Sequence, residues 1–178
     1  LANRLRISAI SYLNTAPLVW GFTEGSGRGR FDLSFTIPSL CADELRQGKA
    51  DVGLLPSIEY QLIPDLVIVP DIAIAAKNQV RSILLVGHKT VWDIRRVALD
   101  ESSRTSVALL KILLHKFYRI YPEYVSMPPD EKAMLAVADA ALLIGDPALK
   151  LISPKLGAPR RLVPGPLKDA GFVLDLAS

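Results

Sequence analysis

RISAISYLNTAP, residues 6–17, decides how the rest of the chain is read. An apolar run predicts a strand over residues 5–10, and it empties into Ser11-Tyr12-Leu13-Asn14-Thr15, where four of five side chains carry hydrogen-bonding groups. Two hydroxyls, a carboxamide and a phenol sit where a following helix would present free N–H groups. Together they can hold a carboxylate or a hydroxyl without a formal charge. Ordinary capping by Asn14 or Thr15 of a helix begun near Pro17 accounts for the same residues.

Working outward, the arrangement recurs. Residues 51–55 read as a short apolar strand delivered into Pro56-Ser57-Ile58-Glu59-Tyr60, a second polar strand-to-helix junction. Between the two lie a Gly-rich, basic, exposed loop at 21–30, a strand at 32–37 and a helix at 39–47, capped by Ser39 and stopped by Gly48. The apolar runs 66–69, 72–76 and 81–86 are too close together for crossover helices, which predicts antiparallel pairing. A second series starts with a strand at 96–99 and a helix at 103–119 that places Val107, Leu110, Leu114 and Phe117 on one face. It continues with a strand at 123–127, a helix at 130–138 and a buried strand at 140–144 ending in Gly145-Asp146-Pro147. Residues 153–178, with four prolines and three glycines, show little periodicity. The expectation is two α/β lobes, 1–93 and 94–178, the second with an irregular tail, and a cleft toward which the polar strand ends face.

Within the second series, Glu101-Ser102-Ser103-Arg104-Thr105-Ser106 puts four hydroxyls and an arginine at the start of the longest helix. Orphan N–H groups, hydroxyls and the positive dipole end favour a bound carboxylate, and an anionic partner explains a cation in a first turn that otherwise disfavours it. Simple capping with a solvent-exposed Arg104 is the alternative. Arg81-Ser82 at one strand's start, and Gly145-Asp146 at another's end, are read either as site walls or as an edge serine and a helix cap. Glu59 and Tyr60 fit a first-turn acid and a packing aromatic as well as a site.

The composition narrows the chemistry. With 178 residues, half of them hydrophobic, and a net charge of +3, the chain can bury a core and lacks the basic stripe of a nucleic-acid binder. The single Cys41 excludes an internal disulfide framework and reads as a packing residue. There is no leader and no apolar run of membrane-spanning length, so a soluble cytoplasmic protein is expected. His88 and His115 fall outside the polar clusters, which argues against a histidine base. No metal-ligand spacing, phosphate loop or dinucleotide fingerprint occurs, so neither metal nor cofactor is expected.

Five ordered stretches carry a family resemblance: residues 6–18, 51–60, 80–82, 97–106 and 140–149. They resemble the menaquinone-biosynthesis chorismate dehydratase family of the futalosine pathway, over residues 4 to about 150. The resemblance implies a two-lobe type II periplasmic-binding-protein-like α/β fold closing on a small anionic substrate, chorismate, with no nucleic acid and no membrane. Asn14 and Ser82 become the catalytic positions. Ser11, Tyr12, Thr15, Pro56, Ser57, Arg81, Ser103, Arg104, Thr105, Ser106, Gly145 and Asp146 become substrate-binding walls. The sister family that makes dihydroxynaphthoate shares the fold but has a Pro- and Asp-containing first loop instead of SYLNT. A non-catalytic carboxylate-binding protein of the same fold is a further reading.

The family chain continues past the second lobe and returns to complete the first. Residues 152–178 match it only loosely, so the sequence is expected to lack that C-terminal return, leaving apolar first-lobe surface that favours a homodimer. The implied reaction removes water from chorismate to give 3-[(1-carboxyvinyl)oxy]benzoate, driven by aromatisation. Because the clusters offer amides and hydroxyls rather than a histidine, the expected base is the substrate's own enolpyruvyl carboxylate. Asp146 and Glu59 are the protein alternatives.

Overall fold

Strand β1 (Arg6–Ile10) lies at the centre of a parallel three-stranded sheet, between β2 (Asp32–Thr36) and β3 (Val52–Gly53). The computed structural model describes residues 4–77, 80–152 and 172–176, and divides into two compact units, Leu1–Ala75 and Ala76–Ser178. In unit 1, β1 is the buried strand that its apolar run predicts: Ile7, Ser8 and Ala9 are all buried. Helix α1 (Ala16–Thr23) follows β1, and α2 (Pro38–Arg46) packs on β1 and β3. Proline at the first position of α2 gives up only an N–H that a helix start leaves unpaired. Gly48, at φ 66°, turns the chain out as the sequence suggests. Beneath the sheet, Ser8 Oγ donates to Glu44 Oε2 at 2.6 Å and lies 3.2 Å from Cys41 Sγ. Burial pushes the Cys41 thiol above its ordinary value, so this cysteine is a packing group rather than a nucleophile.

Unit 2 is a five-stranded mixed sheet in the order β6-β5-β7-β4-β8, built from β4 (Ile83–Gly87), β5 (Arg96–Asp100), β6 (Glu123–Met127), β7 (Ala140–Ile144) and β8 (Phe172–Asp175). Strands β5, β6 and β7 are parallel, while β4 runs antiparallel to β7 and β8. The apolar stretches of β4 and β7 are continuous because both faces are covered. Leu85, Val97, Leu99 and Leu142 pack with Leu110 and Leu114 on one face. Leu84, Val86, Ala98 and Leu143 meet Met134 and Ala148 on the other. These layers are supplied by α3 (Thr105–Ile112), and by α4 (Glu131–Val137) and α5 (Gly145–Ile152). Asp130 caps α4 by accepting the Ala133 N–H at 2.9 Å.

The expected runs at 66–69 and 72–76 form no strand. Pro70 removes a ladder donor, Asp71 turns the backbone at φ 61°, and Val67, Ile68, Val69, Ile72 and Ile74 stay exposed. The third run is antiparallel as expected, but its partners are β7 and β8. That pairing places β4 in unit 2, so the units divide at Ala75 rather than at the expected 93/94 boundary. The tail is not irregular throughout: Phe172–Asp175 is a strand of the unit 2 sheet, while residues 153–171 lie outside those described. The long helix starts at Thr105 and ends in a π-turn, Leu113–Phe117. Widening this turn shifts the helical period, so Leu110 and Leu114 are buried as expected while Phe117 is 74% exposed.

Asp139 clamps the sheet edge formed by the C-terminal end of β4 and the N-terminal ends of β5 and β7. Its carboxylate takes Lys89 Nζ at 2.7 Å and the Arg95 and Arg96 N–H groups at 2.8 and 3.0 Å. The Lys89 bond, then the Arg95 N–H, holds its pKa down from 3.8 to about 2. The folded value lies below the unfolded one, so this contribution to stability is complete above the unfolded carboxylate value and lost as the pH falls through about 2. Asp139→Asn is expected to lower the Tm at pH 7, with the deficit shrinking as acid titration approaches pH 2. A deficit that is the same at both ends of a thermal-melt pH series would contradict this role.

Candidate functional site

The sheet of each unit collects polar groups along one edge. In unit 2 the C-terminal ends of β5, β6, β7 and β8 share an edge with the N-terminal end of β4. Arg81-Ser82, the 101–106 turn and Gly145-Asp146 all meet there, although they are far apart in sequence. The Gly145 N–H donates to the Ser82 carbonyl at 2.8 Å, which ties two of the three together. Gly145 sits at φ 61°, where a Cβ would be strained.

Asp100, at the end of β5, ties in the third. It is 0% exposed, and its Oδ1 accepts from the Ser102 N–H at 3.0 Å and the Ser102 hydroxyl at 2.6 Å. Its Oδ2 takes the Ile144 N–H at 3.2 Å. One carboxylate therefore fixes both the turn into α3 and the end of β7. Ser103 and Ser106 are buried, and Thr105 and Ser106 open α3, with their backbone N–H groups in its first turn. Such a turn favours an anion through oriented N–H groups and hydroxyls.

Arg81 has an exposed side chain and a backbone at φ 58°. The left-handed region costs a non-glycine residue about 1 kcal/mol or more. Its N–H donates to Asp175 Oδ2 at 3.0 Å.

In unit 1 the carboxyl ends of the three parallel strands share an edge, as ligand-binding ends of α/β sheets do. The Ser11 N–H donates to the Thr36 carbonyl at 2.9 Å, anchoring the polar stretch after β1 beside β2. Leu13–Thr15 forms a 3₁₀ turn that runs directly into α1. Asn14 is exposed. Thr15 stands at the N-cap of α1, yet its side chain makes no capping bond. Thr15 is 1% exposed, and among the described residues its Oγ1 has no hydrogen-bond partner. An unpaired buried hydroxyl costs about 1–3 kcal/mol, so this one calls for a partner. Pro56 and Ser57 follow β3 at the same edge, where Ser57–Gln61 makes a second 3₁₀ turn.

Residues 5–161 match the model of a protein family described as Menaquinone biosynthesis. The chain belongs to that family. A chorismate dehydratase of Thermus thermophilus is 34% identical over 140 residues, which are 78% of this chain and 49% of that protein. The chain thus spans about half the length of this curated relative. Two solved structures share the fold. One is a protein of Archaeoglobus fulgidus, at a TM-score of 0.63 and 18% identity, covering 84% of this chain and 57% of that one. The other is the periplasmic aliphatic sulphonate binding protein of Escherichia coli, at 0.52 and 22%, covering 85% and 54%. The architecture is the two-lobe type II periplasmic-binding-protein-like fold that the resemblance implies.

Against this menaquinone-biosynthesis family background, Glu59 changes role. It is 0% exposed and its Oε2 lies 2.7 Å from Arg46 Nη2, joining the 57–61 turn to α2. A carboxylate engaged by a guanidinium in this way is a structural brace, which removes Glu59 from the reading as a base. Asp146 is exposed in the first turn of α5. His115 is taken up by a 3.0 Å bond with Tyr124 Oη. The sequence assigns no role to Asp100, which lies within the stretch 97–106, or to Asp175. The signal for Asp100 was an acid ending an apolar run two residues before a serine, the spacing of an Asx-type turn. Among the described residues no three His, Cys, Asp or Glu side chains group as a metal site, and no helix is long and apolar enough to cross a membrane.

Proposed function

We propose that the protein is a chorismate dehydratase of menaquinone biosynthesis, converting chorismate to 3-[(1-carboxyvinyl)oxy]benzoate in the cytoplasm. The observation that carries this reading is the 34% identity over 140 residues to a protein of that name. The geometry supports it in three ways. The unit 2 edge offers an α3 start with buried hydroxyls and an arginine, groups suited to a carboxylate of a dianion. The unit 1 edge offers Thr15 Oγ1, buried and unpartnered, and the exposed carboxamide of Asn14. Neither His88 nor His115 belongs to either edge.

Thr105 and Ser106, with the α3 N–H groups, hold one carboxylate, and Arg81 pairs with an anionic oxygen. Asn14, Ser82 and Ser11 orient the ring and the leaving hydroxyl. Tyr12, Thr15, Pro56, Ser57, Gly145 and Asp146 complete the walls. The ring proton passes to the substrate's own enolpyruvyl carboxylate, with Asp146 the protein alternative, and loss of hydroxide completes the aromatic ring. Replacing Thr105 and Ser106 together by alanine is expected to weaken binding of 3-[(1-carboxyvinyl)oxy]benzoate about tenfold or more in isothermal titration calorimetry. Unchanged affinity would remove the α3 start from the site.

A further inference from the structure

We infer that Asp175 is a positioning residue: it holds Arg81 in the left-handed backbone conformation from which the guanidinium is offered to the substrate anion. The inference rests on the proposed reading of this sheet edge as an anion site. Register supplies the geometry. Strand β8 pairs antiparallel with β4, Leu84 opposite Asp175, so the end of β8 brings a carboxylate to the residues that lead into β4. Asp175 is 7% exposed, and its Oδ2 takes the Arg81 backbone N–H rather than the guanidinium. Among the described residues the guanidinium makes no hydrogen bond or ion pair. On the other flank, the Ser82 carbonyl is fixed by the Gly145 N–H.

Arg81 therefore occupies a conformation that glycine adopts without strain, and no local contact of its side chain offsets that strain. Such a residue persists where its surroundings over-determine the backbone and its side chain serves another purpose. A buried carboxylate on an N–H is a charge-assisted bond, about twice as strong as a neutral one, and because it engages the Arg81 backbone it leaves that residue's guanidinium available.

The test is a double-mutant cycle on the full chain, with Kd for 3-[(1-carboxyvinyl)oxy]benzoate by calorimetry and Tm without ligand. Arg81→Gly is expected to raise the Tm while weakening binding about tenfold or more, relief of strain at the expense of the cation. Asp175→Ala is expected to weaken binding about three- to tenfold in the parent, and less than about twofold once Arg81 is glycine. Asp175→Asn, which keeps an acceptor for the N–H but not its charge, should fall between the parent and Asp175→Ala. If Asp175→Ala weakens binding by the same factor in both backgrounds, Asp175 does not act through Arg81. A Tm lowered by Arg81→Gly contradicts the strain, and this arm is readable even where Asp175→Ala does not fold. Parent-like affinity in both single variants, with binding still lost on changing Thr105 and Ser106, overturns the inference and leaves the proposed function standing. A parent that does not bind the product overturns both.

Discussion

Asn14→Leu is expected to cut chorismate turnover by at least about a hundredfold while moving the Tm by no more than about 2 °C. The two halves of this result have separate causes. Asn14 lies exposed in the Leu13–Thr15 turn, and among the described residues its carboxamide makes no hydrogen bond, so the fold loses little with it. A carboxamide can donate and accept beside a dianion without repelling it, whereas leucine can do neither and leaves the reacting groups without orientation. Steady-state kinetics with a thermal melt separates the alternatives. Parent turnover in a folded Asn14→Leu protein would remove Asn14 from the reaction. A large fall in Tm would make it a structural residue instead.

The largest loss of stability is expected at Asp100. Alanine there leaves the Ser102 N–H, the Ser102 hydroxyl and the Ile144 N–H without their acceptor in a region where Asp100 itself is 0% exposed. Each such group costs about 1–3 kcal/mol, part of which relaxation recovers, so a net loss of about 3 kcal/mol is expected. For a chain of this size that is a Tm lower by roughly 6–12 °C. Asp100→Asn should fall between, because its oxygen can still serve Ser102 while its NH₂ confronts the Ile144 N–H. Both variants should also weaken product binding, since the same carboxylate aligns the α3 turn with the end of β7. A Tm within about 2 °C of the parent for Asp100→Ala would show that the turn is held by something else.

How much of this was legible in the sequence depends on whether the cause is local. Strands β4 and β7 can be read because burial on both faces writes itself as an unbroken apolar run, and β1 and β5 from shorter apolar stretches bounded or interrupted by polar residues. Which strand each would pair with could not be read. The register of β4 against β7 and β8 is a contact across long stretches of chain, and nothing in residues 83–87 names Ala140 or Phe172 as partner. The runs at 66–69 and 72–76 are apolar enough for strands, but Pro70 and the left-handed turn at Asp71 break them. Phe117 misled because a π-turn changes the period that defines the helical face.

The site divides in the same way. The polar stretch at 11–15, Pro56-Ser57 and the turn at 101–106 were visible as polar residues at strand ends. The capping explanation for Thr15 was equally visible, and only coordinates show that its hydroxyl caps nothing. Glu59 reads from the sequence as a first-turn acid or an alternative base, and the Arg46 guanidinium that makes it a brace comes from another element. Asp100 and Asp175 act on backbone N–H groups supplied by distant segments, and so carry no signature in their own neighbourhoods beyond the serine two residues after Asp100.

The most direct test of the proposed dehydratase is to incubate the purified protein with chorismate and monitor the mixture by liquid chromatography and mass spectrometry. Protein-dependent loss of chorismate is expected, with matching growth of a species lighter by one water that co-elutes with authentic 3-[(1-carboxyvinyl)oxy]benzoate. Chorismate that binds the folded protein and is recovered unchanged would contradict it, and would make the protein a carboxylate-binding member of the family rather than an enzyme.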